Sequence, residues 1–176
     1  MKRLFLIACL VVGSYQIYHM LRGNPSFASA DGELQVTQLQ GPAVVHHPFN
    51  PRLTPYLAVY HGASWCGPCQ QFSPTLCEFF HAADKKPGYF QLLMVNYDRT
   101  DDDMIAYMRE HKMEFPAVSQ GSAGKWGTST GNGIPNLIII ETATGKVVSS
   151  SFSGSDYVGC YKPLDVLKTI ATVGHP

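Results

Sequence analysis

The sequence predicts an α/β domain of three layers, a central mixed β-sheet flanked by helices. Three observations lead there. Apolar runs of strand length alternate with helical patterns from residue 34 onward, as they do where strands are joined by crossover helices. The chain then closes with a strand–turn–strand pattern and a last amphipathic helix, which adds antiparallel strands to the same sheet. Finally, Trp65-Cys66-Gly67-Pro68-Cys69 falls where an apolar run gives way to a helical pattern, so the chemistry sits at a strand-to-helix junction.

Taken in order, Leu34 to Leu39 alternates apolar and polar and predicts a half-buried first strand. Gly41, Pro42, Pro48, Pro51 and Pro55 predict that Gly41 to Pro55 is largely loop. Tyr56 to Gly62 reads as a buried strand leading into the cysteines. The helix that follows spans Pro68 to His81, buries Phe72, Leu76, Phe79 and Phe80, and should kink at Pro74. Tyr89 to Tyr97 is the next strand. Thr100-Asp101-Asp102-Asp103 opens a helix running to about Lys112, with Thr100 as its N-cap and Asp103 closing a capping box; carboxylates also suit a helix N-terminus electrostatically. Ser119 to Gly133 is small and polar around one large aromatic, Trp126, and leads straight to Ile134-Pro135, so it should lie near the cysteines. Leu137 to Glu141 and Lys146 to Phe152 form a hairpin through Thr142 to Gly145, and Pro163 to Val173 is the last helix. No internal repeat appears.

Two cysteines two residues apart close a small, reversible disulfide. A helix N-terminus carries unpaired N–H groups and the positive end of the macrodipole, which stabilise a thiolate in the first turn. That setting lowers a cysteine pKa from about 8.5 toward roughly 7. Pro68 suits the first turn because its missing N–H would be unpaired there anyway. Cys66 is thus the expected attacking thiolate and Cys69 the resolving partner, in dithiol–disulfide exchange. A zinc site needs four ligands, and Cys9, Cys77 and Cys160 supply no second C-x-x-C or C-x-x-H pair. A purely structural bridge over so short a loop removes little chain entropy.

Ala63-Ser64-Trp65-Cys66-Gly67-Pro68-Cys69 followed by Phe72-Ser73-Pro74 resembles the thioredoxin superfamily, and within it the tryparedoxin and nucleoredoxin branch, over roughly residues 34 to 172. The resemblance implies a thioredoxin fold. It also implies that Pro135 in Gly133-Ile134-Pro135-Asn136 is cis beside the cysteines, with Ile134 facing the substrate. Trp65, Gly67, Pro68, Ile134 and Pro135 would then form the substrate-binding surface. Two departures stand out. Thioredoxins carry a buried Asp six residues before the first cysteine and a buried Lys on the next strand; here those positions hold Tyr60 and Met94. Proton transfer involving Cys69 would then fall to water, to a hydroxyl such as Tyr60, or to an unassigned group. The second departure is Gly-Pro between the cysteines where tryparedoxins have Pro-Pro. Gly-Pro is the dipeptide of reducing thioredoxins and tilts the reading toward a reductant.

The N-terminus reads as an export signal: Met1-Lys2-Arg3, the apolar run Leu4 to Val12, and Ala28-Ser29-Ala30 as a cleavage site before Asp31. Residues 1–30 are therefore expected to be removed and residues 31–176 to form the domain, in a periplasmic or secreted location. An uncleaved membrane anchor over residues 4–21 is the alternative, a length of about eighteen residues that just crosses a bilayer. Loss of Lys2, Arg3 and Arg22 leaves 10 basic residues against 13 acidic ones. No basic patch supports nucleic-acid binding. Four cysteines remain, too few for a disulfide-dense scaffold.

The expected partners are disulfide-containing proteins and an external dithiol electron donor. No cofactor is expected, since no G-x-G-x-x-G is present. Two other functions use the same fold: a disulfide oxidase or isomerase, and a copper-binding chaperone taking Cu(I) on Cys66 and Cys69 with His61 as third ligand. His61 alternatively tunes the thiolate or serves as a structural hydrogen-bonder. His46-His47, on the predicted loop, are expected to be solvated.

Overall fold

The computed structural model of the chain describes residues 34–83, 88–119 and 133–173. The N-terminal segment and Trp126 lie outside them. The described elements are β1 (Leu34–Gln40), β2 (Ala43–Phe49), a 3-10 turn (Pro51–Leu53), β3 (Tyr56–Gly62), α1 (Gly67–Ala83), β4 (Phe90–Asn96), α2 (Asp101–Glu110), β5 (Ala117–Ser119), β6 (Asn136–Glu141), β7 (Lys146–Ser150), β8 (Phe152–Ser153), β9 (Asp156–Tyr157) and α3 (Tyr161–Val173). Seven strands form one mixed sheet in the order β2-β1-β5-β4-β3-β6-β7. The pairs β3–β4 and β4–β5 are parallel; the pairs at either flank are antiparallel. This is the α/β architecture that the alternating pattern predicts.

β3 is central and buried along its whole length, which is why its sequence is a nearly unbroken apolar run instead of an alternation. Its two faces separate by parity. Tyr56, Ala58 and Tyr60 join the core that takes in Phe72 and Leu76 of α1, Met104, Tyr107 and Met108 of α2, and Leu164, Leu167 and Ile170 of α3. Leu57 and Val59 join Val36, Leu93, Val95, Ile138 and Ile140 on the opposite face. Phe79 and Phe80, expected in the core, are half-buried and pack against its margin. The helix runs on through Pro74, and Pro74 lies on its exposed side.

The largest correction is Gly41 to Pro55. Its prolines predict a loop, yet Ala43–Phe49 is a strand paired antiparallel with β1 in continuous register. Gly41, at φ 59°, makes the tight turn that starts the hairpin. Pro48 is accommodated because β2 is an edge strand, where a residue without an N–H need not feed a second neighbour. His46 and His47 are therefore not loop residues. The His46 ring meets the Thr37 hydroxyl at 3.1 Å, and the His47 ring meets the Gln38 side-chain carbonyl at 2.8 Å, both across the hairpin.

Smaller differences have local causes. α2 stops at Glu110, short of Lys112, because the chain reverses there with Lys112 at φ 54°. Its N-cap is as expected: Thr100 Oγ1 accepts the Asp103 N–H at 3.1 Å, and the Asp103 carboxylate takes the Thr100 hydroxyl proton at 2.7 Å. α3 begins at Tyr161, two residues before Pro163, since a first-turn residue needs no N–H of its own. The closing hairpin ends at Ser150, and Phe152 instead enters a short ribbon with β9.

Candidate active site

The C-terminal ends of the parallel strands β3 and β4 reach the same edge of the sheet, and β6 starts there, with Asn136 opposite His61. Ligand sites of open α/β sheets form at such an edge. Beyond Gly62 the chain turns through Ser64 and Trp65, with the Cys66 N–H donating to the Ala63 carbonyl at 3.2 Å. The Cys66 carbonyl takes the Gln70 N–H at 3.0 Å, so Cys66 caps α1. Cys66 and Cys69 are joined as a disulfide with Cα atoms 5.1 Å apart. The Cys69 N–H points at Cys66 Sγ from 3.2 Å. A first-turn donor is thus aimed at Cys66 Sγ, where it would stabilise negative charge, and the first turn of α1 holds no acidic residue to oppose it. Cys66 is 5% exposed and Cys69 is fully buried.

Ala63, Cys66 and Cys69 form a small apolar cluster against which Tyr97 and Ile134 pack. The Ile134–Pro135 bond is cis, as the resemblance implies. Trp65 is 64% exposed, and its indole N–H donates to the Tyr97 carbonyl at 3.2 Å. Gly67 and Pro68 lie exposed on the outer side of the turn. The structure therefore assembles Trp65, Cys66, Gly67, Pro68, Cys69, Ile134 and Pro135 at one edge of the sheet.

A clamp around Asp98 escapes the sequence reading. The Asp98 carboxylate accepts the Ser64 N–H at 3.0 Å, the Ser64 hydroxyl at 2.7 Å and the Asn96 amide at 2.8 Å. The Gln70 side chain donates to the Ser64 carbonyl at 2.7 Å from the other side. The turn before Cys66 is thus held from both flanks. A groove of about 540 Å³ beside it is lined by Ser64, Trp65, Tyr97, Asp98, Arg99 and Asp103. The available signal was position alone: Asn96 ends, and Asp98 closely follows, the strand parallel to the one that leads into the cysteines.

The departures at Tyr60 and Met94 hold. The two residues are register partners on β3 and β4, and both are fully buried. The Tyr60 hydroxyl lies 3.0 Å from Ser73 Oγ and 3.5 Å from the Cys69 carbonyl, and Ser73 Oγ lies 2.6 Å from the Tyr107 hydroxyl. Burial pushes both tyrosine hydroxyls up, Tyr60 well above its usual range, so the cluster stays neutral.

His61 points to the other face of β3. Its Nδ1 pairs with the Tyr97 hydroxyl at 3.2 Å, its Nε2 has no hydrogen-bond partner among the described residues, and burial lowers its pKa to about 4. Among the described residues no group of three or more His, Cys, Asp or Glu is placed to hold a metal ion. Burial, helped by Glu78, pushes the Cys77 thiol up to about 12; burial also raises Cys160, whose sulfur takes the Ser151 hydroxyl at 3.1 Å. Both are free, buried thiols.

A family model described as thioredoxin-like matches residues 55–147. Tryparedoxin of Trypanosoma brucei brucei is 27% identical over 134 residues, covering 74% of this chain and 82% of that protein. A probable nucleoredoxin 1 of Arabidopsis thaliana is 32% identical over 102 residues, covering 56% of this chain but only 17% of that much longer protein. Among solved structures, tryparedoxin I from Leishmania major superposes with a TM-score of 0.54 at 26% identity, over 68% of this chain and 82% of that one. Tryparedoxin II from C. fasciculata reaches a TM-score of 0.59 over 90% of this chain and 95% of that one; at 23% identity it speaks for the fold alone.

Proposed function

The chain belongs to the thioredoxin-like family, and on that premise we propose that it reduces protein disulfides through the Cys66–Cys69 dithiol. As a member it is a thiol–disulfide oxidoreductase whose redox centre is the C-x-x-C pair. The observation that carries the assignment is the Cys69 N–H on Cys66 Sγ at the start of α1, which stabilises charge on Cys66 before Cys69. In the proposed reaction the Cys66 thiolate attacks a substrate disulfide, a mixed disulfide forms, and Cys69 attacks Cys66 to release the reduced substrate. The exposed Trp65 indole and Ile134-Pro135 supply the docking surface. An external dithiol protein reopens the Cys66–Cys69 bridge.

Cys69→Ser leaves attack intact and blocks resolution, so mixed disulfides with substrates accumulate; Cys66→Ser traps none. Equal trapping by both variants would refute the assignment of the nucleophile. The direction rests on Gly67-Pro68 between the cysteines. Equilibration with glutathione should give a potential nearer the roughly −270 mV of thioredoxin than the roughly −120 mV of a strong periplasmic oxidant. A value above about −150 mV would make the protein an oxidant instead.

The place of work is part of the same proposal. Met1-Lys2-Arg3, the apolar run from Leu4 to Val12 and Ala28-Ser29-Ala30 support export. The exported protein should begin at or near Asp31. A product that retains Met1 in the membrane fraction would favour the anchor over residues 4–21, and one that retains it in the cytoplasm would end the export reading.

A further inference from the structure

Tyr60, Ser73 and Tyr107 come from β3, α1 and α2, and all three are essentially without solvent exposure. Tyr60 donates toward the Cys69 carbonyl from 3.5 Å. Its hydroxyl lies 3.0 Å from Ser73 Oγ, which lies 2.6 Å from the Tyr107 hydroxyl, and either partner of each pair can donate. One chain of hydroxyls therefore ends on the backbone of Cys69. Stability does not explain it, because replacing mutually bonded buried hydroxyls by apolar groups of like shape is close to neutral. Its endpoint does. Ser73 lies one turn beyond Cys69 on the same buried stripe of α1, and Gly62 keeps space for the chain: a Cβ there would stand 2.8 Å from the Tyr60 hydroxyl oxygen.

We propose that Tyr60, Ser73 and Tyr107 are positioning residues for Cys69 in the resolving step. The inference rests on the dithiol reading with Cys66 as the attacking thiol. After that attack a Cys66–substrate S–S bond exists and the first substrate sulfur has left as a thiolate that takes a proton from water. The Cys69 thiol then loses its proton to water. Its electron pair forms the Cys66–Cys69 bond, the Cys66–substrate bond breaks, and the second substrate thiolate leaves; two electrons have passed from the dithiol to the substrate disulfide. The first attack draws on Cys69 only through its N–H on Cys66 Sγ, whereas the second requires Cys69 itself to reach a sulfur across the turn, so the hydroxyl chain acts chiefly on the second.

Dithionitrobenzoate reports the two attacks as two successive releases of the coloured thiolate from the reduced full-length protein. Ser73→Ala should slow the second release about fivefold, the effect of one hydrogen bond, and the first by much less. Ser73→Thr should restore it. Tyr107→Phe, which keeps the ring and removes only the hydroxyl, should slow the second release in the same way and serves if Ser73→Ala does not fold. An unchanged second release in both variants, or equal slowing of both releases without rescue by Thr, overturns the proposal. A wild-type protein that forms no adduct on Cys66 overturns the dithiol assignment itself and this inference with it.

Discussion

His61 stands one residue beyond Tyr60, with its ring buried, Nδ1 spent on Tyr97 and Nε2 unpaired among the described residues. In the unfolded chain it takes a proton near its ordinary 6.5; in the fold it does so only at about 4, because burial penalises the charged ring. Below pH 6.5 the unfolded state therefore binds a proton that the native state does not. Stability contributed by this residue is complete above 6.5 and is lost as pH falls toward 4. The gap is worth roughly 3 kcal/mol by linkage. Urea unfolding at neutral pH and near pH ~5 should show this loss, and His61→Leu should flatten it. An equal loss in the variant would place the acid sensitivity elsewhere.

At the level of elements, β3 and α1 are joined through the hydroxyl of Tyr60, and Gly62 is what leaves room for it. An added Cβ at Gly62 meets Tyr60 Oη at 2.8 Å and Cζ at 2.9 Å. The ring cannot swing away easily, since it packs on Phe72 at a centroid distance of 5.7 Å, and Phe72 in turn meets Tyr161 edge-on. Gly62→Ala should therefore cost about 1–3 kcal/mol, the usual range for overpacking a filled core. The double variant Gly62→Ala/Tyr60→Phe, which removes the closest clashing atom, should recover part of that cost. Equilibrium unfolding of the single and double variants checks this. No recovery would show that the Tyr60 hydroxyl is not what the methyl strikes.

Across the whole molecule, the strength of attachment to the sheet is uneven. β3 is paired along its length on both sides, with β4 and with β6. Among the described residues the β1–β2 hairpin instead reaches the sheet through the three-residue β5, at the single register pair Thr37–Ala117, aided by the Gln38 side chain on the Glu114 carbonyl. Local opening follows such differences in pairing. Amides of β2 should exchange with solvent by local opening, orders of magnitude faster than those of β3, β4 and β6, which should exchange near the global unfolding limit. Hydrogen exchange by mass spectrometry resolves the two classes; equal protection of β2 and β3 would mean that the hairpin opens only with the core.

Local chemistry was enough to identify the cysteine pair, the cap at Thr100, the strand Tyr56–Gly62 and the alternation that defines the sheet. Each of these depends on neighbours a few residues away, through helix-end donors, capping hydroxyls or a run of apolar side chains. The tertiary structure decided the rest. Whether the prolines of residues 41–55 make a loop or an edge strand depends on which neighbour the strand must feed, and that follows from its place in the sheet. Asp98 became a clamp on Ser64 because two parallel strands end side by side. Tyr60, Ser73 and Tyr107, spread over three elements, became one chain because packing brought their hydroxyls within hydrogen-bonding distance. Short-range periodicity carries no information about such distances, which exist only once the helices have closed on the sheet.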